Sequence, residues 1–234
     1  MSRSALAILT LLTSGCIEAD GEQQPADSSV QEILVGELRN ARDLGGTALA
    51  GGATVDYGVL ARGPALARLT AAGCAELADL GVRSVLDLRE ESERIATPES
   101  ECVEQQADIV LAPLPIPYSL SPVEYLADLN TDESIATAFH LLGDRDAYPI
   151  YFHCTYGRDR TGVLAALILL ALGASPDAIM REYELSRATV GATPASLLAV
   201  LREVEGRGGI EAHLTTLGVS DAELEVLRER ARSR

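Results

Sequence analysis

One apolar run stands out along the chain: Gly162 to Leu172 reads Gly-Val-Leu-Ala-Ala-Leu-Ile-Leu-Leu-Ala-Leu and has no polar face at helical spacing. That pattern predicts a helix buried on every side rather than one lying on a surface. Just upstream, Pro149 to His153 is apolar and aromatic and is entered through a proline, which predicts a short buried strand. The polar residues between them leave room only for a tight loop, so the unit is strand, loop, buried helix.

The rest of the chain supplies further strands and amphipathic helices. Ile33 to Leu38 reads as an opening strand, and Asn40 to Gly46 ends in a double glycine that marks a turn. Thr54 to Ala61 suits a strand or hairpin arm. Thr70 caps a helix to Leu80 that stops at Gly81, with Ala71, Cys74, Ala75, Leu77 and Ala78 as its apolar face. On that reading Cys74 is a core residue. Arg83 to Leu88 has the aliphatic content of a central strand, and Arg89 to Glu93 opens a polar loop or helix. Ile109 to Leu114 reads as another strand, which the prolines at 113, 115 and 117 end. Residues 118–144 read as one or two helices starting at Ser121 and Thr131, either a lid or ordinary layer packing. Ser175-Pro176 starts a helix to Arg187 and Thr193-Pro194 another to about Glu205, where Gly206 to Gly209 break the chain. Ser220 and Glu223 form a capping box for a last helix with Leu224, Leu227 and Ala231 as its seam. Strands alternating with helices predict an α/β fold: a central, mostly parallel sheet flanked by helices.

The amino terminus departs from this pattern. Residues 1–15 have Arg3, an apolar run from Ala5 to Leu12, and small residues before Cys16. The run is too short to span a bilayer and fits an export signal. Residues 16–31 are polar and acidic and read as a disordered tether. The expected organisation is therefore a signal peptide (1–15), a tether (16–31) and one folded domain (32–234).

Charge narrows the function. Of 234 residues 35 are acidic and 19 basic, a net charge of −16, and every basic residue is arginine. Such a surface argues against nucleic acid as a partner and against adhesion to anionic lipid. An anionic substrate must then be captured by local arginines rather than by the field of the whole molecule.

The loop supplies that chemistry. The first turn of a helix carries unpaired amides and the positive end of the helix dipole, so the amides of Thr155 to Arg160 can converge on a phosphate-sized oxyanion. Gly157 lets the backbone turn inward. Cys154, beside those dipoles and the guanidinium groups of Arg158 and Arg160, is placed as a thiolate nucleophile. Arg160 can return its planar fork to the same centre and bind two phosphoryl oxygens together. A bare Cys-x5-Arg spacing says little; Gly157 between the two and Thr161-Gly162 directly after make the signal specific.

His153-Cys154-x-x-Gly157-x-x-Arg160-Thr161-Gly162 resembles the phosphate loop of the cysteine-dependent protein tyrosine phosphatase superfamily. Asn40 to Gly46 and Val82 to Arg89 resemble the amino-terminal signatures of its bacterial tyrosine and dual-specificity, lipid-phosphatase-like subgroup. The resemblance implies a dual-specificity-type fold and hydrolysis of phosphate monoesters (phosphotyrosine, phosphoserine or phosphothreonine, or a phosphoinositide) through a phosphocysteine on Cys154. Arg160 would be catalytic, and Thr155, Tyr156, Gly157, Arg158, Thr161 and Gly162 would bind substrate. Thr161 would also hydrogen-bond the cysteine sulfur, His153 would orient the loop, and no metal or cofactor would be required. Asp159 is the expected general acid, with anchoring of the loop as its other role, and Asp87 is the second candidate. Arg158 stands where lipid-accepting relatives carry a lysine for a second phosphate. Arg42 and Asp43 are read as structural supports, with contact to the active site as the alternative. Leu12 to Cys16 is similar to a bacterial lipobox, with Thr13 where an aliphatic residue is usual. It implies an exported lipoprotein, periplasmic or at the cell surface, that meets the membrane only through a lipid on Cys16; a plain cleaved signal is the alternative. Substrates would be phosphorylated proteins or phosphoinositides. A non-catalytic phosphate-binding module and a rhodanese-like sulfurtransferase remain as other readings. Cys74 and Cys102 are left open, bridged or free.

Overall fold

A computed structural model describes residues 38–233 apart from 116 and 118. The expected leader, the tether, Cys16 and all of the proposed opening strand but Leu38 lie outside the described residues, and Leu38 is in no strand.

The chain enters through a two-residue strand, β1 (Arg42–Asp43), and returns antiparallel to it as β2 (Leu60–Gly63). Helix α1 (Ala71–Asp79) leads to β3 (Ser84–Asp87), and two short helices, α2 (Glu91–Ala96) and α3 (Glu101–Gln106), lead to β4 (Asp108–Leu111). Then come α4 (Pro122–Asp128), α5 (Asp132–Leu142), β5 (Ile150–His153) and α6 (Asp159–Leu172). The carboxyl end is helical: α7 (Pro176–Glu184), α8 (Arg187–Val190), α9 (Pro194–Gly206), α10 (Ile210–Thr216) and α11 (Asp221–Ala231). The sheet order is β1-β2-β5-β3-β4, antiparallel only at β1. This is the mostly parallel α/β sheet that the sequence predicts.

Side chains alternate across the sheet because successive residues of a strand point to opposite faces. Leu60, Leu86, Ile150 and Phe152 belong to the large core beneath the carboxyl-terminal helices, whereas Ala61, Val85 and Tyr151 belong to a smaller one under α1 and α3. Helix α6 runs through the large core with every residue but Leu170 buried. Each large aliphatic side chain enclosed this way contributes about 1.5–3 kcal/mol. Gly173, in the left-handed region at φ 89°, ends the helix.

Several boundaries differ from the expectation. Thr54 and Val55 make only isolated bridges, so the expected hairpin arm is a strand from Leu60 onward. The strand expected to reach Leu114 stops at Leu111, where the proline run begins. The helix expected to reach Arg187 breaks after Glu184, and a short separate helix, α8, follows. On α1, Leu77 is buried but Ala71, Ala75 and Ala78 are exposed, because only one side of this helix meets the small core. Cys74 is not a core residue; it is half-buried and bridged to Cys102 of α3. Helices α4 and α5 pack as a layer, with Tyr125, Leu129, Ile135 and Phe139 in the large core. Ser121 caps α4, Thr70 caps α1, and Ser220 with Glu223 forms the predicted capping box.

Candidate active site

Strand β5 lies in the middle of the parallel sheet, with Gly63 of β2 and Asp87 of β3 as its neighbours on either side of His153. Ligands of open α/β sheets gather beyond the carboxyl ends of such strands, and the loop from Cys154 to Arg158 emerges there. Cys154 is a free thiol, 3% exposed, at the mouth of the large core. Helix α6 starts at Asp159, so Asp159 and Arg160 stand in its first turn rather than in the loop. Among the described residues no protein group accepts from the amides of residues 155–160. Among the described residues, the amides that the sequence assigns to an oxyanion are therefore without protein acceptors.

Gly157 has φ 68°, and a Cβ there would lie 2.3 Å from the carbonyl carbon of Gly63. Only glycine allows this turn against β2. The loop is then held from behind by polar groups. Arg62, fully buried, donates to the Gly157 carbonyl at 2.8 Å and to Glu182 at 2.7 Å. Asn40 donates to the carbonyls of Tyr156 and Gly157 at 3.1 and 3.0 Å. Arg42 donates to Asn40, Glu182 and Ser186, the bonds expected of a support. Asp43 accepts from the amides of Gly45 and Gly58 and fixes its own turn. Burial lowers the Arg62 pKa to about 10, with Arg42 adding to the effect and Glu182 opposing it. Burial pushes Glu182 up, but Arg42 and Arg62 outweigh it and hold the carboxyl below its ordinary value.

Arg160 is 4% exposed and its two terminal nitrogens clasp Glu93 of α2 at 2.6 and 2.8 Å. Glu93 also accepts from the Thr155 hydroxyl. Burial would raise the Glu93 pKa, but these bonds bring it down to about 2. Arg160 is raised in turn, since Glu93 and the charge of Cys154 outweigh its own burial. Its Nε is buried without a partner among the described residues. Cys154 lies close enough to Arg62 and Arg160 to act on both guanidinium groups.

The other predicted residues fall as follows. Tyr156 is 63% exposed at the rim. Arg158 donates through Nε to Asp159 at 2.9 Å and through a terminal nitrogen to the Val190 carbonyl, so it ties the loop to α8. Asp159 accepts from Arg158 and from the Tyr125 hydroxyl, and every contact it makes uses it as an acceptor. Tyr125 also bonds Tyr183, whose hydroxyl accepts from the Thr193 amide. Gly162 passes so close to Tyr183 that a Cβ would meet its ring at 2.7 Å. Among the described residues the buried Thr161 hydroxyl has no partner, so the implied bond to the cysteine sulfur is not made here.

Both oxygens of Asp87, the second candidate for the acid, are engaged. Arg89 bonds both of its oxygens, at 2.8 to 3.2 Å, and although burial pushes Asp87 up, Arg89 and the charge of His153 hold it below the ordinary carboxylate range. His153 is fully buried, its Nδ1 3.2 Å from the Cys154 carbonyl and its Nε2 3.6 Å from Glu99. Asp87, Glu99 and His153 bring ligand atoms within 4.8 Å of one another, but the Arg89 guanidinium already bonds both acids where a cation would sit.

Sequence reading passed over Arg62, Glu93, Tyr125, Asp128 and Glu182. Two carried a signal: Glu182 and Asp128 are acids at apolar-face spacing, beside Ile179 and Tyr183 and beside Tyr125 and Leu129.

Several known proteins are similar to this chain. The sequence model described as "Tyrosine phosphatase family" matches residues 33–232. A Cupriavidus necator protein provisionally named a tyrosine-protein phosphatase is 33% identical over 196 residues, covering 74% of this chain and 71% of that one. A tyrosine-protein phosphatase of Nostoc commune is 27% identical over 213 residues, covering 70% and 71%. The crystal structure of P. aeruginosa TpbA in complex with pTyr has 16% identity and a TM-score of 0.47, covering 85% of this chain and 99% of that one.

Proposed function

The chain belongs to the tyrosine phosphatase family, and on that premise we propose that it hydrolyses phosphotyrosine esters through a phosphocysteine on Cys154. The observation that carries this reading is a buried free cysteine followed directly by amides, 155–160, that no group among the described residues accepts from, with Arg160 near enough to feel the cysteine's charge. In the first step the Cys154 sulfur attacks phosphorus in line and the ester oxygen leaves. The amides and Arg160 stabilise the equatorial oxygens, and each preorganised donor of this kind is typically worth about 10²–10³ in rate. Water then attacks the phosphocysteine and releases inorganic phosphate. Glu93 fixes the plane of the Arg160 guanidinium before substrate arrives.

Phosphotyrosine is favoured over a phosphoinositide because Arg158, the candidate for a second phosphate, is already committed to Asp159 and Val190. The folded unit of this reading is residues 32–234. Residues 1–15 would direct export and Cys16 would carry a lipid, placing the enzyme outside the cytoplasm on a membrane anchor; the support is the Leu12 to Cys16 sequence.

The test is turnover of a phosphotyrosine peptide and of a soluble phosphoinositide by the full chain in EDTA. Wild-type turnover should survive the chelator and favour the peptide, and Cys154→Ser should abolish it. A wild type that binds the peptide and hydrolyses none would leave a phosphate-binding module as the correct reading.

A further inference from the structure

The helix that carries Tyr125 to Asp159 carries a second acid towards the same place. Asp128 lies three residues after Tyr125, on the same face of α4. It is 1% exposed, and its Oδ1 has no hydrogen-bond partner among the described residues. A buried carboxyl oxygen without a donor is destabilising, and far more so if the group is ionised, so an acid kept there needs an explanation beyond packing.

The groups facing α4 are few. Helix α6 presents Arg160 and Asp159, the two charges that act on Asp128. Tyr183 of α7 reaches Tyr125. At the end of α9, Glu203 is paired with Arg207, which also bonds the carbonyl of Leu129 and the side chain of Asn130, while Arg202 and Glu205 are exposed. Burial dominates and lifts the Asp128 pKa to about 8; Arg160 opposes the rise and Asp159 adds to it. The carboxyl therefore keeps its proton at neutral pH. The other acids near the loop are committed as acceptors: Asp159 to Tyr125 and Arg158, Asp87 to Arg89, Glu93 to Arg160 and Thr155.

We propose that Asp128 is the general acid and base of the phosphoryl transfer, and that Asp159 is a positioning residue. This rests on the phosphatase reading above. As the Cys154 sulfur bonds to phosphorus and the P–O ester bond breaks, the Asp128 carboxyl gives its proton to the departing oxygen. The resulting carboxylate takes a proton from the water that attacks the phosphocysteine, the S–P bond breaks, and thiolate, inorganic phosphate and the protonated acid are restored.

The experiment compares two esters, phenyl phosphate and 4-nitrophenyl phosphate, whose leaving groups differ in their need for a proton. Asp128→Asn should lower turnover of phenyl phosphate by about 10²-fold or more, lower that of the nitrophenyl ester far less, and abolish the basic limb of the pH profile. Asp159→Asn should slow both esters by a similar factor. The wild type gives an independent reading that needs no folded variant: the basic limb, near pH 8, should be steep for phenyl phosphate and weak for the nitrophenyl ester. An active wild type in which Asp128→Asn slows both esters equally or neither, or in which Asp159→Asn shows the leaving-group dependence, overturns the assignment to Asp128 alone. A wild type that turns over neither ester overturns the phosphatase reading with it.

Discussion

Glu93 shows how one residue can prepare a site that it does not itself perform. Its carboxylate spans the terminal nitrogens of Arg160 and the hydroxyl of Thr155, which fixes the guanidinium plane at the cost of burying charge. Its pKa falls from 4.5 to about 2 on folding, so the unfolded chain binds the proton more tightly. The stability that Glu93 contributes is complete above about pH 4.5 and is lost as pH falls towards 2. In thermal melts the gap between wild type and Glu93→Gln should be constant above pH 5 and close between pH 4.5 and 2. A gap that widens on acidification would show the pair to be destabilising in the folded state.

Among the elements, α1 is the one least secured by burial. Leu77 is its one buried large side chain, and the Cys74–Cys102 bridge ties it to α3 across 28 residues. Closing a loop of that length in the unfolded chain is worth roughly 2–4 kcal/mol. The double variant Cys74→Ala/Cys102→Ala should lose about that much stability to urea, while turnover well below its melting temperature stays at the wild-type level. The small core under α1 lies behind Tyr151, and the Cys154 loop is supported from the other side by Arg62, Asn40 and Glu182. Equal loss of activity and stability would mean that α1 also holds the loop.

At the scale of the molecule, a net charge of −16 repels a dianionic phosphate until it reaches the loop. Screening should relieve that repulsion. The ratio kcat/KM for a phosphotyrosine peptide should therefore rise as sodium chloride is raised from low ionic strength, with kcat little changed. A fall with salt would mean that a local field from Arg158, Arg160 and the loop amides extends past the rim and steers the substrate.

The sequence alone determined the strand-loop-helix unit, because an all-apolar helix after a buried strand has few other places to go, and a glycine between Cys154 and Arg160 leaves few other turns. It also determined the helix starts at Thr70, Ser121 and Ser220, since a cap acts through residues three apart. Only the tertiary structure decided what stands behind the loop. Arg62 and Glu182 are 120 residues apart and Arg160 and Glu93 are 67 apart, pairings that depend on which strands are neighbours. Likewise, whether an aspartate such as Asp87 or Asp128 meets a guanidinium or is left without a donor is settled by packing, and that decides which of these two carboxyls can hold a proton.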